Sequence, residues 1–449
     1  MHETQNTMTT SPARAFLVGV KLKGELQSDA ENSLEELRRL AETAGMEVLA
    51  EIIQPKETPD PAYFIGRGKL EELEAIVSEL EVEAVVFDND LTPAQTRNLE
   101  KSLDIVVVDR TSLILQIFAQ RAQTKAAKLQ VDLAQLQYAL PRLTRMWTHL
   151  SRLGTGAGGT AGVGAGRAGG VVRGPGETQL QIDRRLIHTQ ISRVKKALQK
   201  VEKHRRVQRK QRQEMINVSL VGYTNAGKST LFNALTSEKR LAEDKLFATL
   251  DPTTRLLDLP DNQHVLLSDT VGFLKKLPHH LVAAFKATLE EVAEADLLLH
   301  VVDVSHPEAE SQIDAVDEVL KELGAFERPT LMLFNKIDLL EEEEGHTQLF
   351  RSKYPDNLAI SAEDGTGLEV LKDLLAERFS TQDVDVSLAL AYQDGKALDY
   401  LYKHGEVFDT DYQGESIRVK AKLPQRHLKA LERLTTNSTA VVLDSTVDS

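Results

Sequence analysis

The amino-acid sequence predicts an α/β protein whose centre is a doubly wound, mostly parallel sheet, and three observations carry that prediction. Apolar runs of strand length alternate with amphipathic runs of helix length over most of the 449 residues, the pattern left by strands joined through crossover helices. One strand, Asn217-Val218-Ser219-Leu220-Val221, leads into Gly222-Tyr223-Thr224-Asn225-Ala226-Gly227-Lys228-Ser229 and then into the helix start Thr230-Leu231-Phe232-Asn233-Ala234-Leu235. This strand, G-x-x-x-x-G-K-[ST] loop and helix form the context that a phosphate-binding loop requires. Two long helical stretches with matched apolar stripes come before that loop. The expected layout is a disordered tail at 1–13, a small α/β domain at 14–110, a helical hairpin at 111–215, the doubly wound domain at 216–381 and a small α+β domain at 384–449.

Within 14–110 the strands are Phe16-Leu17-Val18-Gly19-Val20, Val48-Leu49-Ala50-Glu51-Ile52-Ile53, Ala84-Val85-Val86-Phe87 and Ile105-Val106-Val107-Val108. Helical patterns at about Glu31–Ala44, Lys69–Leu80 and Pro93–Leu103 separate them, the last opened by Thr92 as N-cap with Pro93 behind it. The turn Gly66-Arg67-Gly68-Lys69 has the wrong glycine spacing for a phosphate loop. It reads as a helix entry, with RNA contact as the competing role.

The hairpin is predicted from two helices, about Ser112 to Leu140 and about Gln179 to Gln213. Leu129, Leu133, Leu136 and Leu140 stack on the first, and Ile187, Ile191, Val194, Leu198 and Val201 on the second, so the two stripes pair. In the connection, 11 of the 23 residues from Gly154 to Gly176 are glycine and none is acidic. Ordering backbone costs about 1–2 kcal/mol per residue, so this loop takes a fixed shape only against a large partner. A plain linker has a similar composition. Arginines, however, stand before it (Arg142, Arg145, Arg152), within it (Arg167, Arg173) and after it (Arg184, Arg185), and glycine with arginine suits structured RNA. These arginines are the candidate RNA contacts. Charge points the same way: the formal net charge is −14, yet Leu133–Glu214 carries +13 and the remainder −27. A basic segment in an acidic chain fits one phosphate-facing surface, a solvated helical face being the alternative.

The chemistry lies in the doubly wound domain. Loop N–H groups and the helix N-terminus receive phosphate, Lys228 reaches the β- and γ-phosphates, and the Ser229 hydroxyl binds Mg²⁺. Asp269-Thr270-Val271-Gly272 ends the strand Val265-Leu266-Leu267, so a carboxylate faces the metal and the Gly272 N–H meets the γ-phosphate. Asn335-Lys336-Ile337-Asp338 follows the strand Thr330–Phe334, and Ser361-Ala362-Glu363 follows Leu358-Ala359-Ile360. Asp338 can accept from N1–H and the exocyclic amine of guanine while the Ala362 N–H donates to O6; adenine mismatches both, a penalty of roughly 10⁴-fold. Four such motifs in register define a P-loop GTPase domain. Spacing alone leaves Thr249, Thr253 and Thr254 as candidates for the switch threonine. Directly after Gly272, where Ras-like enzymes carry a water-orienting glutamine, stands Phe273. A phenyl ring cannot orient water, so turnover is expected to be slow until another group, from a partner or from a side chain such as Thr230, supplies that function. Lys228 and Gly272, with the switch threonine, are the catalytic candidates, and no side-chain base is assigned.

Beyond this domain, Val386–Leu390 and Ser416–Ala421 read as strands and Gly395–His404 and Gln425–Leu434 as helices, with no legible role. The run Glu341-Glu342-Glu343-Glu344 reads as a solvated connection. The chain has no cysteine, which excludes disulfides and thiolate metal sites and suggests a reducing compartment. It has no apolar run of membrane-spanning length and no apolar signal core after Met1. A cytoplasmic monomer is expected.

Together, Gly222–Ser229, Phe247-Ala248-Thr249-Leu250-Asp251, Asp269–Phe273, Gly174-Pro175-Gly176-Glu177 and Asp109-Arg110-Thr111 resemble the HflX family of ribosome-associated GTPases over nearly the whole chain. The resemblance selects Thr249 as the switch threonine and, with Ser229, as a direct Mg²⁺ ligand, Asp269 acting through water. It adds Phe247, Ala248, Leu250 and Asp251 to the nucleotide set. It implies binding to the large ribosomal subunit and its RNA, with the glycine loop reaching toward the peptidyl-transferase region. It also implies GTP-dependent splitting of stalled or idle ribosomes, often under stress. The alternative is an RNA-binding or RNA-remodelling protein with a regulatory GTPase domain. A second, ATP-accepting site has been suggested for such proteins, but no second P-loop precedes Gly222. A metabolic kinase would leave the guanine motifs unexplained.

Overall fold

Parallel strands need crossover helices, and the first sheet shows the consequence. Its strands β1 (Ala13–Lys21), β2 (Met46–Pro55), β3 (Ala84–Phe87) and β4 (Val106–Asp109) lie in the order β2-β1-β3-β4, all parallel. The computed structural model describes residues 12–143, 179–210, 215–236, 246–247, 249–260, 263–276, 289, 291–340, 352–380, 383–391, 395–413, 416–424, 428, 431, 434–435 and 439–442. Alternation along β1 divides its side chains between two cores: Phe16, Val18 and Val20 pack with Leu70, Leu73 and Leu99. Ala15 and Leu17 pack with Leu37, Ile114 and Phe118 on the other face. The first group comes from α2 (Arg67–Glu79) and α3 (Pro93–Leu103), the second from α1 (Gln27–Thr43) and α4 (Arg110–Arg121). Thr92 caps α3 with Pro93 in its first turn, as the sequence predicts, and Gln95 makes the cap a reciprocal capping box.

The expected single helix from Ser112 to Leu140 is two. After α4 the backbone turns extended at Ala122 (ψ 110°), and α5 (Lys125–Ala139) restarts behind Thr124, whose hydroxyl accepts the Ala127 N–H. α6 (Gln179–Lys210) runs against α5. Their seam joins Leu129, Leu133, Leu136 and Leu140 to Ile187, Ile191, Val194 and Leu198, the pairing that the stripes predict. The Gly154–Gly176 loop and Arg145, Arg152, Arg167 and Arg173 lie outside the described residues.

The second sheet has the order β10-β9-β8-β5-β7-β6. Its strands are β5 (Ile216–Gly222), β6 (Thr253–Asp258), β7 (His264–Asp269), β8 (Leu297–Asp303), β9 (Thr330–Asn335) and β10 (Asn357–Ala359), of which only β6 is antiparallel to its neighbour. Helices α7 (Lys228–Thr236), α8 (Ala309–Leu323) and α9 (Leu368–Ser380) are among those that accompany it. One apolar cluster is continuous across the first and second sheets: Leu17, Leu37, Val108 and Phe118 share it with Leu250, Phe273, Val292 and Leu320. A third, antiparallel sheet in the order β12-β13-β11-β14 is built from β11 (Asp383–Ala391), β12 (Glu406–Gln413), β13 (Ser416–Pro424) and β14 (Thr439–Val442), with α10 (Gly395–His404) on it. Strand β12 escaped sequence reading because its exposed Phe408 and Tyr412 mask the alternation. Among the described residues no helix is long and apolar enough to cross a membrane.

Candidate nucleotide site

The four motifs converge at the carboxyl ends of β5, β7, β9 and β10, and the contacts among them explain their residue types. Gly227 has φ +93° and a Cβ there would stand 2.2 Å from Asn335 Nδ2, so only glycine fits. The amide that occupies this space ties three motifs together. Asn335 Nδ2 donates to the Ala226 carbonyl at 2.8 Å, and Asn335 Oδ1 accepts the Ala362 N–H at 2.9 Å. The Ala362 N–H, expected to face guanine O6, is thus directed at Asn335. Asp338 is exposed in a short 3₁₀ turn, open to a base edge. Lys336, at φ +65°, pairs with Asp303 at 2.7 Å, and Ser361 is fully buried beside Ala362. Ile337 packs against the cluster around Phe334, and Glu363 is exposed.

On the phosphate side, Lys228 Nζ donates to the carbonyls of Gly222 (3.1 Å) and Tyr223 (2.6 Å). Burial lowers its pKa to about 8 although Asp269 works in the opposite direction. The Asp-x-x-Gly segment lies across the loop: the Thr224 N–H donates to the Phe273 carbonyl (2.8 Å) and the Phe273 N–H to the Gly222 carbonyl (3.1 Å). A Cβ on Gly272 would come within 2.8 Å of Thr224 Cα and 3.1 Å of Lys228 Nζ. Thr270 Oγ1 donates to the Leu220 carbonyl and Val271 is buried, fixing β7 on β5. Asn225 turns the loop at φ +60°.

Three oxygens close the site. Ser229 Oγ lies 2.9 Å from Thr249 Oγ1, and each is 2.8 Å from Asp269 Oδ2. Two hydroxyls and a carboxylate at one point are the hard-oxygen set that suits Mg²⁺ shared with phosphate, so the residues fit this ion. Of the three threonines that spacing leaves open, the structure brings Thr249 to this point; Thr254 bonds Ser268 in the sheet and Thr253 starts β6.

Several assignments change. Arg142 is no surface arginine: its guanidinium reaches Asp109 (3.1 Å) and the Leu91 carbonyl (2.8 Å) and stacks on the Tyr138 ring at 3.6 Å. Only 12% of its side chain is exposed, so it is removed from the RNA candidates; Arg184 and Arg185 are exposed on α6. Asp251 turns its carboxylate onto the start of α5 and not toward the phosphate loop. The Tyr223 side chain also leaves the site: its hydroxyl donates to Glu36 and accepts the Lys275 N–H at 2.9 Å. Phe247 and Leu250 are buried in the shared core, and Ala248 lies outside the described residues. Sequence reasoning missed Glu36, Phe118, Thr124, Lys275 and Lys276, which hold this site from outside it, although Asp109-Arg110-Thr111 marks where Glu36, Lys275 and Lys276 gather.

Family models match in order along the chain: a GTP-binding GTPase N-terminal region at 31–119, its middle region at 121–212, and a 50S ribosome-binding GTPase at 217–336. The GTPase HflX of Caldanaerobacter subterraneus subsp. tengcongensis is 45% identical over 412 residues, 91% of each chain. That of Escherichia coli K12 is 44% identical over 395 residues, 87% of this chain and 89% of the relative. A crystal structure of a GTP-binding protein from Sulfolobus solfataricus with GDP is similar at 24% identity and a TM-score of 0.43, covering 81% of this chain and 98% of that one. With a guanine-nucleotide site of this geometry and full-length relatives at this identity, the chain belongs to the HflX family and is a GTP-binding, GTP-hydrolysing enzyme.

Proposed function

We propose that this GTPase binds the large ribosomal subunit through its RNA and uses GTP to separate the subunits of stalled or idle ribosomes. The observation that carries the reading is the arm. Its apolar seam is buried between α5 and α6, which leaves Arg184, Arg185, Arg193, Lys195, Lys196 and Lys200 exposed along α6 with the glycine-rich loop at its end. Such a rod presents a cationic surface to phosphates, and the family description of a 50S ribosome-binding GTPase names a large RNA particle.

In this reading the loop Gly222–Ser229 receives the β- and γ-phosphates and the Lys228 ammonium neutralises charge on the transferring group. Ser229 and Thr249 hold Mg²⁺, which when bound supplies charge compensation to the phosphate oxygens. The Gly272 N–H meets the γ-phosphate, and Asp338 reads guanine. Phe273 is 2% exposed in the shared core, so the group that orients water comes from elsewhere, and the ribosome supplies it.

Saturating ribosomes are expected to raise GTP turnover at least about tenfold, and an unchanged turnover would refute the reading. Cell extract sedimented with a non-hydrolysable GTP analogue should carry the protein with the large subunit; migration with other RNA would favour an RNA-remodelling role. With about five phosphate contacts, log affinity should fall with log salt at a slope of about −3 to −4. Deletion of 154–176 should flatten that slope, and an unaltered affinity and slope would remove RNA contact from the arm.

A further inference from the structure

The segment that carries Thr249 is held on both sides by the elements that root the arm. Before it, Phe247 (φ +56°) sets its ring edge-on to Phe118 of α4, with centroids 4.7 Å apart, and gives its N–H to Thr224 Oγ1 at 3.3 Å. After it, Leu250 is 2% exposed in the core shared by both sheets. Asp251 then reaches the N-cap of α5 and the residue before it: its Oδ2 accepts the N–H groups of Gln123 (3.1 Å) and Thr124 (3.0 Å), and its Oδ1 accepts the Thr124 hydroxyl. Thr124 Oγ1 in turn accepts the Ala127 N–H at 3.1 Å. A carboxylate at a helix start takes up donors that the helix cannot satisfy and meets its positive end, which makes this a directional clasp between two segments 127 residues apart.

We propose that Asp251 is a positioning residue for GTP hydrolysis. Clasped to the root of the arm, it fixes where the Thr249 hydroxyl stands relative to Ser229 and Asp269. A displacement of α5 is then a displacement of the metal-site threonine, and the arm and the hydrolytic site share one mechanical element. Packing does not demand an aspartate here, because the apolar anchoring is done by Phe247 and Leu250. What the carboxylate adds is registry with α5. Small misplacements of a positioned group are costly in rate, whereas loop contacts to the nucleotide are untouched.

The test uses the full chain without ribosomes, so its outcome is independent of the ribosomal reading. Asp251→Ala should lower kcat about tenfold while KM for GTP stays within twofold and GDP affinity is retained. Asp251→Asn, which keeps an acceptor for the N–H groups, should restore most of the rate. Thr124→Ala should slow turnover in the same way, and the double variant should be no slower than the slower single one, as for two partners in one contact. Parental turnover in Asp251→Ala, or rate losses that multiply in the double variant, would overturn the proposal. If Asp251→Ala does not fold, Thr124→Ser and Thr124→Ala read the same clasp from the other side. Serine should keep the rate and alanine lose it, and equal rates would again overturn the proposal.

Discussion

At the scale of single residues, the site is governed by what burial does to charge. Lys228 is sequestered with two carbonyls, and burial, opposed by Asp269, lowers its pKa from 10.5 to about 8. Phosphate oxygens favour the ammonium, so the loaded site holds its proton more tightly than the empty one and binding takes up a proton above pH 8. Nucleotide affinity should be level up to about pH 8 and then fall as pH rises, by up to about tenfold per unit. Stability of the nucleotide-free protein runs the other way. The unfolded chain binds this proton more tightly, so stability rises between about 8 and 10.5. Titration of GDP affinity from pH 6.5 to 9.5 checks the first trend, and a level curve throughout would show that Lys228 keeps its proton when empty. Gly272 makes a second claim at this scale. A methyl group there meets backbone at 2.8 Å, which cannot yield as a side-chain tip can. Gly272→Ala should lower kcat at least about tenfold, because the segment must lift from the loop, while GDP affinity, which depends on loop and base contacts, should change less than threefold. Paired turnover and GDP titrations decide it.

At the scale of elements, legibility in the sequence followed periodicity and failed where contacts come from far along the chain. The seams of α5 and α6 and the strands around Gly222–Ser229 were readable because spacing alone decides which face is apolar. The break between α4 and α5 was not readable. Neither glycine nor proline marks it, and the acceptor that secures Thr124 is Asp251, beyond the whole arm. Arg142 shows the same limit for function. Beside Arg145 and Arg152 it reads as surface charge, yet Asp109, held by Tyr138 and by the N-terminus of α4, draws it inward. Removing one partner of a buried ion pair costs about 3–5 kcal/mol, so Arg142→Ala should lower stability by that order and leave the salt slope of the proposed RNA binding unchanged. The exposed pair on α6 should behave oppositely: Arg184→Ala with Arg185→Ala should reduce the slope by about 1–2 with little change in melting. Denaturant unfolding beside salt titration of both variants separates the two roles.

At the scale of the molecule, the first and second sheets are joined by polar contacts around the segment that follows Gly272. Arg110 is 2% exposed; it donates to Asp88 at 2.7 Å, to Glu36, and to the Lys275 carbonyl at 3.4 Å. Lys276 donates to Asp88 and Ser33, each at 2.9 Å, while Lys275 and Asn32 both reach Glu308. Burial disfavours charge on Asp88, but Arg110 and Lys276 outweigh it and hold the carboxyl below its usual value. Its pairing therefore persists above the ordinary carboxylate range and is lost only as pH falls through that lower value. Tyr223 brings the phosphate loop into this network. Its hydroxyl lies between Glu36 of α1 and the Lys275 N–H, so the loop that cradles phosphate is bonded to the N-terminal unit by a side chain that takes no part in cradling. Tyr223→Phe keeps the ring in the shared core and every loop N–H in place, but strands one donor and one acceptor in a part-buried setting, a loss of about 1–3 kcal/mol. Because α1 and the Lys275–Lys276 segment are tied through the same hydroxyl, hydrogen exchange should quicken in both together by about 5- to 150-fold, with GDP affinity within twofold of the parent. Faster exchange at Lys275 alone, with α1 still protected, would mean that the two units hold each other through the apolar core and that the hydroxyl is a local bond.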